Sequence, residues 1–269
     1  MGMRLGAAAL RRTGTCGSER SRSARAVRMT SRVVGIAEII RFILFEIYLS
    51  GRTSVLSSNQ IVDHWSQLDG NVHPLDAPVF AANAHSFNLD YPPPAFIGDI
   101  NNAPVVLLDA NGGFDPVVTP SEFAAPDALD RYLDLLRNPR AVHPGQIAPY
   151  YGVRNYADLI AAGEMVLVNA VAYRSVSISR EPNNRRVAEQ LPSTAIHRAW
   201  LRDVLVPAAS RGERLVVAHR TALWRIKRSE PDLNGVIFTT NPVSADMSRA
   251  TLAEIRAFLD GRRTPASAN

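Results

Sequence analysis

Residues 104–113 read PVVLLDANGG, and this stretch decides the fold class of the chain. The apolar run Pro104–Leu108 has no polar interruption, which predicts a strand buried on both faces, as strands of parallel sheets are. The residues that follow, Asp109 to Gly113, predict a glycine-rich turn at the carboxyl end of that strand.

Three similar apolar runs follow along the chain and are predicted to be strands: Glu164–Ala170, Arg214–Ala218 and Gly235–Thr239. Helices are predicted around them, at residues 59–66, 126–137, 194–209, 220–228 and 248–260. For the helix at 194–209, the preceding Leu191-Pro192-Ser193 offers an N-cap. Strands that alternate with helices favour a layered α/β fold with a mostly parallel sheet.

The basic charge of the chain lies mainly in its first 32 residues. These residues hold eight arginines and one acid, Glu19, whereas the whole chain has 30 basic and 25 acidic side chains. Residues 33–269 therefore carry 22 basic and 24 acidic side chains. Because proteins that follow a phosphate backbone usually show a basic face, this balance weakens a nucleic-acid interpretation unless the body of the protein has a local basic patch.

The segments before the first strand predict a tail and a helix. Residues 1–32 are rich in arginine and serine and are predicted to be disordered, as are residues 263–269. Residues 33–49 (VVGIAEIIRFILFEIYL) predict an amphipathic apolar helix, joined by a linker that ends at 57; three charged residues make it a poor membrane span. This helix is a candidate site for a partner chain. The single α/β domain is predicted to span residues 58–262.

The chain has a single cysteine, Cys16, so no disulfide can form within it, and this suits a reducing cytoplasm. The histidines show no HxH, HxxxH or HExxH spacing, so no metal site is expected. Nucleophile-elbow, phosphate-loop and dinucleotide-binding motifs are also missing from the sequence, and no cofactor is expected.

Ligands of parallel α/β sheets bind at the carboxyl ends of the strands. Four segments occupy those positions here: 109–113, 169–175, 219–220 and 240–244. At these same places the chain resembles the uracil-DNA glycosylase superfamily. The similar segments read VVLLDANGG, MVLVNAVAYRS, LVVAHRTALWRI and TTNPVSADMSR. The resemblance covers residues 95–250 and implies a three-layer sandwich with a mostly parallel central sheet.

The resemblance also implies roles for individual residues. Asn111 stands where the family orients the attacking water, and Asn169 where it reads the edge of the base. Asn241 stands where the family has a histidine, and an amide can donate a hydrogen bond to the leaving base without supplying positive charge. The implied catalytic residues are Asp109, Asn111 and Asn241, and the implied ligand-binding residues are Phe114, Asn169, Tyr173, Arg174, Ser175, His219, Arg220 and Ser244.

Each of these residues also has an ordinary structural explanation, such as a turn residue, a helix cap or a surface arginine. The sequence therefore favours a divergent glycosylase-like protein whose pocket takes a nucleobase-like group, from a nucleic acid or a small molecule, with hydrolysis of an N-glycosidic bond as its candidate reaction. Two alternatives stay open: a non-catalytic binding protein that retains the fold, and an assembly subunit that docks through the helix at 33–49.

Overall fold

A computed structural model of the protein describes residues 58–263. The predicted tail at 1–32, the predicted helix at 33–49 and its linker lie outside these residues. So does the predicted C-terminal tail, except Arg263, which ends the last helix. The strands are β1 (Phe96–Ile97), β2 (Val105–Gly113), β3 (Met165–Ser175), β4 (Leu215–Ala218) and β5 (Val236–Phe238).

The helices surround these strands in the order of the chain. They are α1 (Ser58–Ser66), α2 (Ala77–Ala82), α3 (Val118–Glu122), α4 (Ala128–Arg137), α5 (Pro149–Gly152), α6 (Ala157–Ala161), α7 (Pro182–Ala188), α8 (Pro192–Trp200), α9 (Val206–Ser210) and α10 (Arg249–Arg263), with a 3₁₀ turn at Pro144–Gln146 and a π-helical turn at Leu201–Leu205. None of the helices within residues 58–263 has the length and apolar character needed to cross a membrane.

Within residues 58–263, five strands form one mixed sheet in the order β1-β3-β2-β4-β5. β2 pairs in parallel with both β3 and β4, and β4 pairs in parallel with β5. The two-residue β1 pairs antiparallel to β3, which the sequence did not predict. The predicted α/β class is therefore confirmed, with a sheet that is mixed.

Apolar side chains lie on both faces of the sheet. In β2, Val106 and Leu108 belong to one core cluster, whereas Val105 and Leu107 belong to another. The first cluster receives side chains from α1, α4 and α8, and the second from α5, α6 and α10. Because alternate residues of a strand point to opposite faces, the uninterrupted apolar run of β2 serves both clusters.

The predicted turn at 109–113 is wrong, because β2 continues through it to Gly113. Asp109 and Asn111 stay in register with β3, and the ladder shifts by a bulge between Asn111 and Gly112. A Cβ atom at Gly112 would lie 2.5 Å from the carbonyl oxygen of Ala172 and 2.7 Å from Cγ of Pro94. Gly112 therefore permits a close approach of backbones rather than a loose turn.

Three other predictions also need correction. β3 extends to Ser175, five residues beyond the predicted strand end, and the segment predicted as a helix at 220–228 consists of turns. The long helix predicted at 194–209 begins at Pro192, with Leu191 rather than Ser193 as its N-cap, and is interrupted by the π-helical turn. Pro207, which follows that turn, has no N–H to donate to the preceding carbonyl groups, so it cannot continue a regular ladder.

Candidate functional site

A cleft of about 750 Å³ opens at the carboxyl ends of β2, β3, β4 and β5. Four segments at the ends of these strands line it, namely residues 110–111, 176–180, 218–223 and, from β5 and its following loop, 238–239 with 242–243. Side chains from outside the strand ends complete the lining: Tyr150, Arg185 and Arg228. This is the edge of the sheet at which the sequence predicts a ligand pocket.

The lining of the cleft is basic. Among the described residues that line it there are four arginines (Arg180, Arg185, Arg220 and Arg228) and no aspartate or glutamate. Arg220 and Arg228 are already held by neighbouring groups, the second by the carbonyl oxygen of Phe238 at 2.9 Å. Arg180 and Arg185 are exposed, and their guanidinium groups make no hydrogen bond or ion pair with any of the residues 58–263. These two cations are therefore available to an anionic ligand.

Aromatic and aliphatic side chains form the rest of the wall. Tyr150 and Phe238 supply rings, and Ile178 and Leu223 supply buried aliphatic surface. Phe114, a predicted ligand-binding residue, is half-buried and does not line the cleft. The cleft thus combines flat apolar surface with cationic groups, although its aromatic residues differ from the one predicted.

Asn111 is the predicted catalytic residue that reaches the cleft. Its Nδ2 donates hydrogen bonds to the carbonyl oxygen of Gly112 at 2.7 Å and to Oγ of Ser175 at 3.1 Å. Both amide hydrogens are thereby engaged, which orients the side chain. Its Oδ1 accepts no hydrogen bond from residues 58–263, so an acceptor remains for a water molecule or a ligand donor. Ser175, itself buried, serves here as a support for Asn111 and does not line the cleft.

Asp109 lies just behind the lining of the cleft. Its Oδ1 accepts hydrogen bonds from the N–H of Ala110 at 2.7 Å and from Nη1 of Arg220 at 3.2 Å. The Nε of Arg220 also donates to the carbonyl oxygen of Pro242 at 3.0 Å. Arg220 therefore links the end of β2 to the loop after β5 while its side chain remains 31% exposed at the cleft.

His219 lines the cleft but both of its ring nitrogens are engaged. Nε2 donates to the carbonyl oxygen of Ser244 at 2.8 Å, and Nδ1 lies 3.0 Å from Oγ1 of Thr239. Burial lowers the pKa of His219, Arg220 lowers it further, and the carboxylate of Asp109 opposes the change. A neutral imidazole with this pairing clamps the loop after β5 and is not free to act as a base.

The loop after β5 presents different residues from those predicted. Pro242 and Val243 line the cleft, and Val243 is 87% exposed. Asn241 is exposed but does not belong to the lining. Ser244 contributes its carbonyl oxygen to His219, and its Oγ accepts from the N–H of Asp246 at 3.1 Å. Its side chain thus closes a turn in the loop.

Three predicted ligand-binding residues of β3 are buried away from the cleft. Asn169 has no exposed surface, and its Nδ2 donates to the carbonyl oxygen of Pro94 at 2.6 Å. Tyr173 donates its O–H to Asp76 at 2.8 Å. Arg174 makes an ion pair with Glu122 at 2.8 Å in which neither side chain is exposed. The continuation of β3 past its predicted end explains why Tyr173 and Arg174 lie inside the protein rather than at its rim.

The structure thus brings Asn111, His219 and Arg220 to the cleft, with Asp109 behind them. Sequence reasoning missed the other cationic and aromatic members: Tyr150, Arg180, Arg185, Arg228 and Phe238. Arg180 and Arg185 follow β3 in a segment that reads SREPNNRR, and the density of arginine after a strand end was the only signal. The chain matches no family model, no curated protein and no solved structure.

Proposed function

We propose that the cleft at the strand ends binds a nucleotide, either free or as a unit of a nucleic acid strand. The observation that carries this proposal is the lining itself, in which the residues that the structure describes include four arginines and no carboxylate. Guanidinium groups bind phosphate through paired hydrogen bonds, and a concave basic wall concentrates anions. Arg180 and Arg185, which have no partner among the described residues, are the phosphate-binding pair.

The base of the nucleotide would lie against the apolar part of the cleft. Tyr150 and Phe238 contribute aromatic rings to the lining, and we expect a base to stack on the face of a ring that Arg154 or Arg228 does not cover. Asn111 offers a free Oδ1 as an acceptor at the same edge of the sheet. A surface that combines cations, rings and one fixed amide suits a nucleotide better than a simple anion such as sulfate. Sulfate would contact the cations alone, whereas the base of a nucleotide can also stack on the rings.

We further propose that the protein hydrolyses an N-glycosidic bond in this cleft, as its resemblance to the uracil-DNA glycosylases implies. Asn111 would hold a water molecule through Oδ1. The oxygen of that water bonds to the anomeric carbon, the carbon–nitrogen bond breaks, and its electron pair leaves with the base. The proton of the water passes to the released base or to solvent. Helices on both faces of the sheet support the three-layer sandwich that the same resemblance implies.

Arg220 supplies the positive charge that the amide of Asn241 cannot provide. The departing base carries negative charge, and stabilising that charge is usually a large part of such catalysis. Arg220 is the cleft arginine tied to Asp109 and to the loop after β5, so its position is set before a ligand binds. We therefore assign the stabilisation of the leaving base to Arg220.

Release of base from uracil-containing oligonucleotides, both single-stranded and in a G·U duplex, tests the reaction. We expect release by the natural protein and its loss in Asn111→Ala, with Asn234→Ala as the control because Asn234 is exposed and outside the cleft. If the natural protein releases no base at high concentration while still binding the oligonucleotide, the non-catalytic alternative replaces the hydrolase.

Binding is tested separately from chemistry. Replacing Arg180 and Arg185 together by glutamine should weaken the binding of a labelled single strand by about tenfold or more, because charge-assisted contacts to phosphate are lost. The control is the pair Arg137→Gln and Arg256→Gln, which removes the same charge from exposed positions outside the cleft. Equal weakening by both pairs would mean that only the net charge matters, and would overturn the proposed site.

A further inference from the structure

Two separate segments carry the arginines that line the cleft, and one carboxylate joins these two walls. The first wall follows β3 and includes α7, which carries Arg185, and the second is the loop at residues 219–235 between β4 and β5. Glu189, the residue after α7, makes ion pairs with Arg198 of α8 and with Arg225 of the loop. Glu189 does not itself line the cleft, so it connects the two walls without occupying the ligand space.

The contact between Glu189 and Arg198 reaches the backbone of the second wall. Nη1 and Nη2 of Arg198 each donate to one oxygen of the Glu189 carboxylate, both at 2.8 Å. The Nε of Arg198 donates to the carbonyl oxygen of Leu223 at 2.6 Å, and Leu223 lines the cleft. Because a guanidinium paired with both oxygens of a carboxylate is fixed in orientation, Glu189 also fixes the backbone at Leu223.

Arg225 adopts a backbone conformation that its surroundings must hold in place. Its φ of +56° lies in the left-handed region, which residues other than glycine rarely adopt. Its guanidinium donates to Glu189, and its carbonyl oxygen accepts from Nη2 of Arg202 at 2.7 Å. The preceding Trp224 donates Nε1 to the carbonyl oxygen of Asp109 at 2.7 Å. The turn at Arg225 is therefore held by contacts with three other parts of the fold.

The loop at 219–235 depends on such contacts because it consists of turns and irregular backbone. Loops longer than about 12–15 residues without secondary structure are uncommon in compact domains unless they serve a function. Arg220 and Arg228 lie on either side of Arg225 in the sequence, and both line the cleft. The position of Arg225 therefore affects two of the four arginines that the described lining contains.

We propose that Glu189 is a positioning residue that sets the distance between the two walls of the cleft through Arg198 and Arg225. This inference rests on the proposed function, in which one nucleotide ligand contacts Arg185 on the first wall and Arg220 on the second. A ligand gains from both cations only if their separation suits it, and fixing that separation beforehand reduces the entropy lost on binding. Without the carboxylate of Glu189, the walls would be free to move apart and the ligand would have to order them.

Binding of a labelled single strand by the full chain tests the positioning role. Glu189→Gln removes a negative charge, which on its own would strengthen the binding of an anion, yet we expect it to weaken binding by about fivefold. Glu213→Gln is the matched control, because Glu213 is also paired with a surface arginine but lies outside the cleft, and it should not weaken binding. In a protein that already carries Arg180→Gln and Arg185→Gln, adding Glu189→Gln should have little effect, since the first wall no longer carries these cations. An equal fivefold loss there would mean that Glu189 acts elsewhere, and would overturn the proposal.

The separation of the walls can also be measured without a ligand. Nitroxide labels are attached through Asn183→Cys in α7 and Ser229→Cys in the loop, both exposed positions, in a Cys16→Ser background. Glu189→Gln should broaden the distribution of distances between the labels, measured by double electron–electron resonance, whereas Glu213→Gln should leave it unchanged. An unchanged distribution in Glu189→Gln would overturn the proposal whether or not the protein binds an oligonucleotide. A broadened distribution in a protein that binds no oligonucleotide would support the positioning role and contradict the proposed function.

Discussion

The Nη1 of Arg220 lies 3.2 Å from Oδ1 of Asp109, and this contact joins the ends of β4 and β2 at the edge of the cleft. The side chain of Asp109 is only 9% exposed, whereas that of Arg220 is 31% exposed. The carboxylate thus fixes the arginine from inside the protein while the guanidinium still faces the ligand space. An arginine held in this way loses little freedom when it binds an anion, so its contribution to binding is larger than that of a free surface arginine.

The ion pair should control the protonation of the neighbouring His219. The carboxylate of Asp109 favours the charged imidazole and the guanidinium of Arg220 disfavours it, on top of the lowering by burial. Asp109→Asn should therefore lower the pKa of His219, and Arg220→Gln should raise it. An NMR titration of the imidazole proton signals measures both. Shifts of the same sign in the two variants would contradict the proposed arrangement.

Gly112 should tolerate no side chain. In Gly112→Ala the new Cβ would meet backbone and proline atoms at 2.5–2.8 Å, and neither neighbour can move far inside the sheet. We expect the free energy of unfolding to fall by about 1–3 kcal/mol, measured by urea denaturation. Gly261→Ala is the matched control, because its Cβ would meet nothing within 4 Å and alanine favours a helix. A Gly112→Ala protein as stable as the natural one would show that β2 and β3 can separate at the bulge.

The buried pair of Arg174 and Glu122 should matter for stability and not for the cleft. Both side chains are fully buried, and Nε of Arg174 also donates to the carbonyl oxygen of Pro92 at 3.0 Å. Glu122→Gln would leave a buried guanidinium without its counter-charge, which costs about 3–5 kcal/mol of stability. At temperatures where the variant remains folded, its affinity for an oligonucleotide should equal that of the natural protein. A selective loss of affinity would return Arg174 to the candidate ligand-binding residues.

The buried His197 should make the protein less stable in acid. Its Nε2 accepts from Nε1 of Trp65 at 2.8 Å and its Nδ1 donates to the carbonyl oxygen of Asn169, so a second proton has no acceptor. Burial lowers the pKa of His197 to about 4, against an unfolded value of 6.5. The unfolded state therefore binds more protons in this window. The stabilisation is complete above pH 6.5 and falls towards pH 4 by about 1.4 kcal/mol per pH unit.

Urea denaturation at several pH values between 4 and 7 measures this effect. His197→Gln removes the titrating group, so its stability should depend less steeply on pH by about one proton. The control is His143→Gln, the same replacement at a histidine whose side chain is 42% exposed. If His197→Gln keeps the slope of the natural protein, another group causes the acid sensitivity.

Sequence patterns predicted the positions of the main strands more accurately than the residues at which those strands end. The apolar cores of β2 (residues 105–108) and β3 (residues 165–168) were recognised because neither of these four-residue runs has a polar residue. Their extensions through Asn111 and Arg174 were missed because glycine, asparagine and arginine are usual in turns and on surfaces. In the folded chain the N–H and C=O groups of these residues pair across the bulge with the neighbouring strand. That pairing depends on the partner strand, which local sequence does not describe.

The sequence by itself determined the α/β class, the order of the main elements and the edge of the sheet at which a cleft opens. It could do so because apolar periodicity and chain direction are local properties. Only the tertiary structure decided which side chains reach the cleft. Arg180, Arg185 and Phe238 line it, whereas the predicted ligand-binding residues Asn169 and Arg174 are buried. The tertiary structure alone also brought Glu189 to Arg198 and Arg225. Contacts between distant residues arise from the packing of helices on the sheet, and burial then sets their charge and hydrogen bonding.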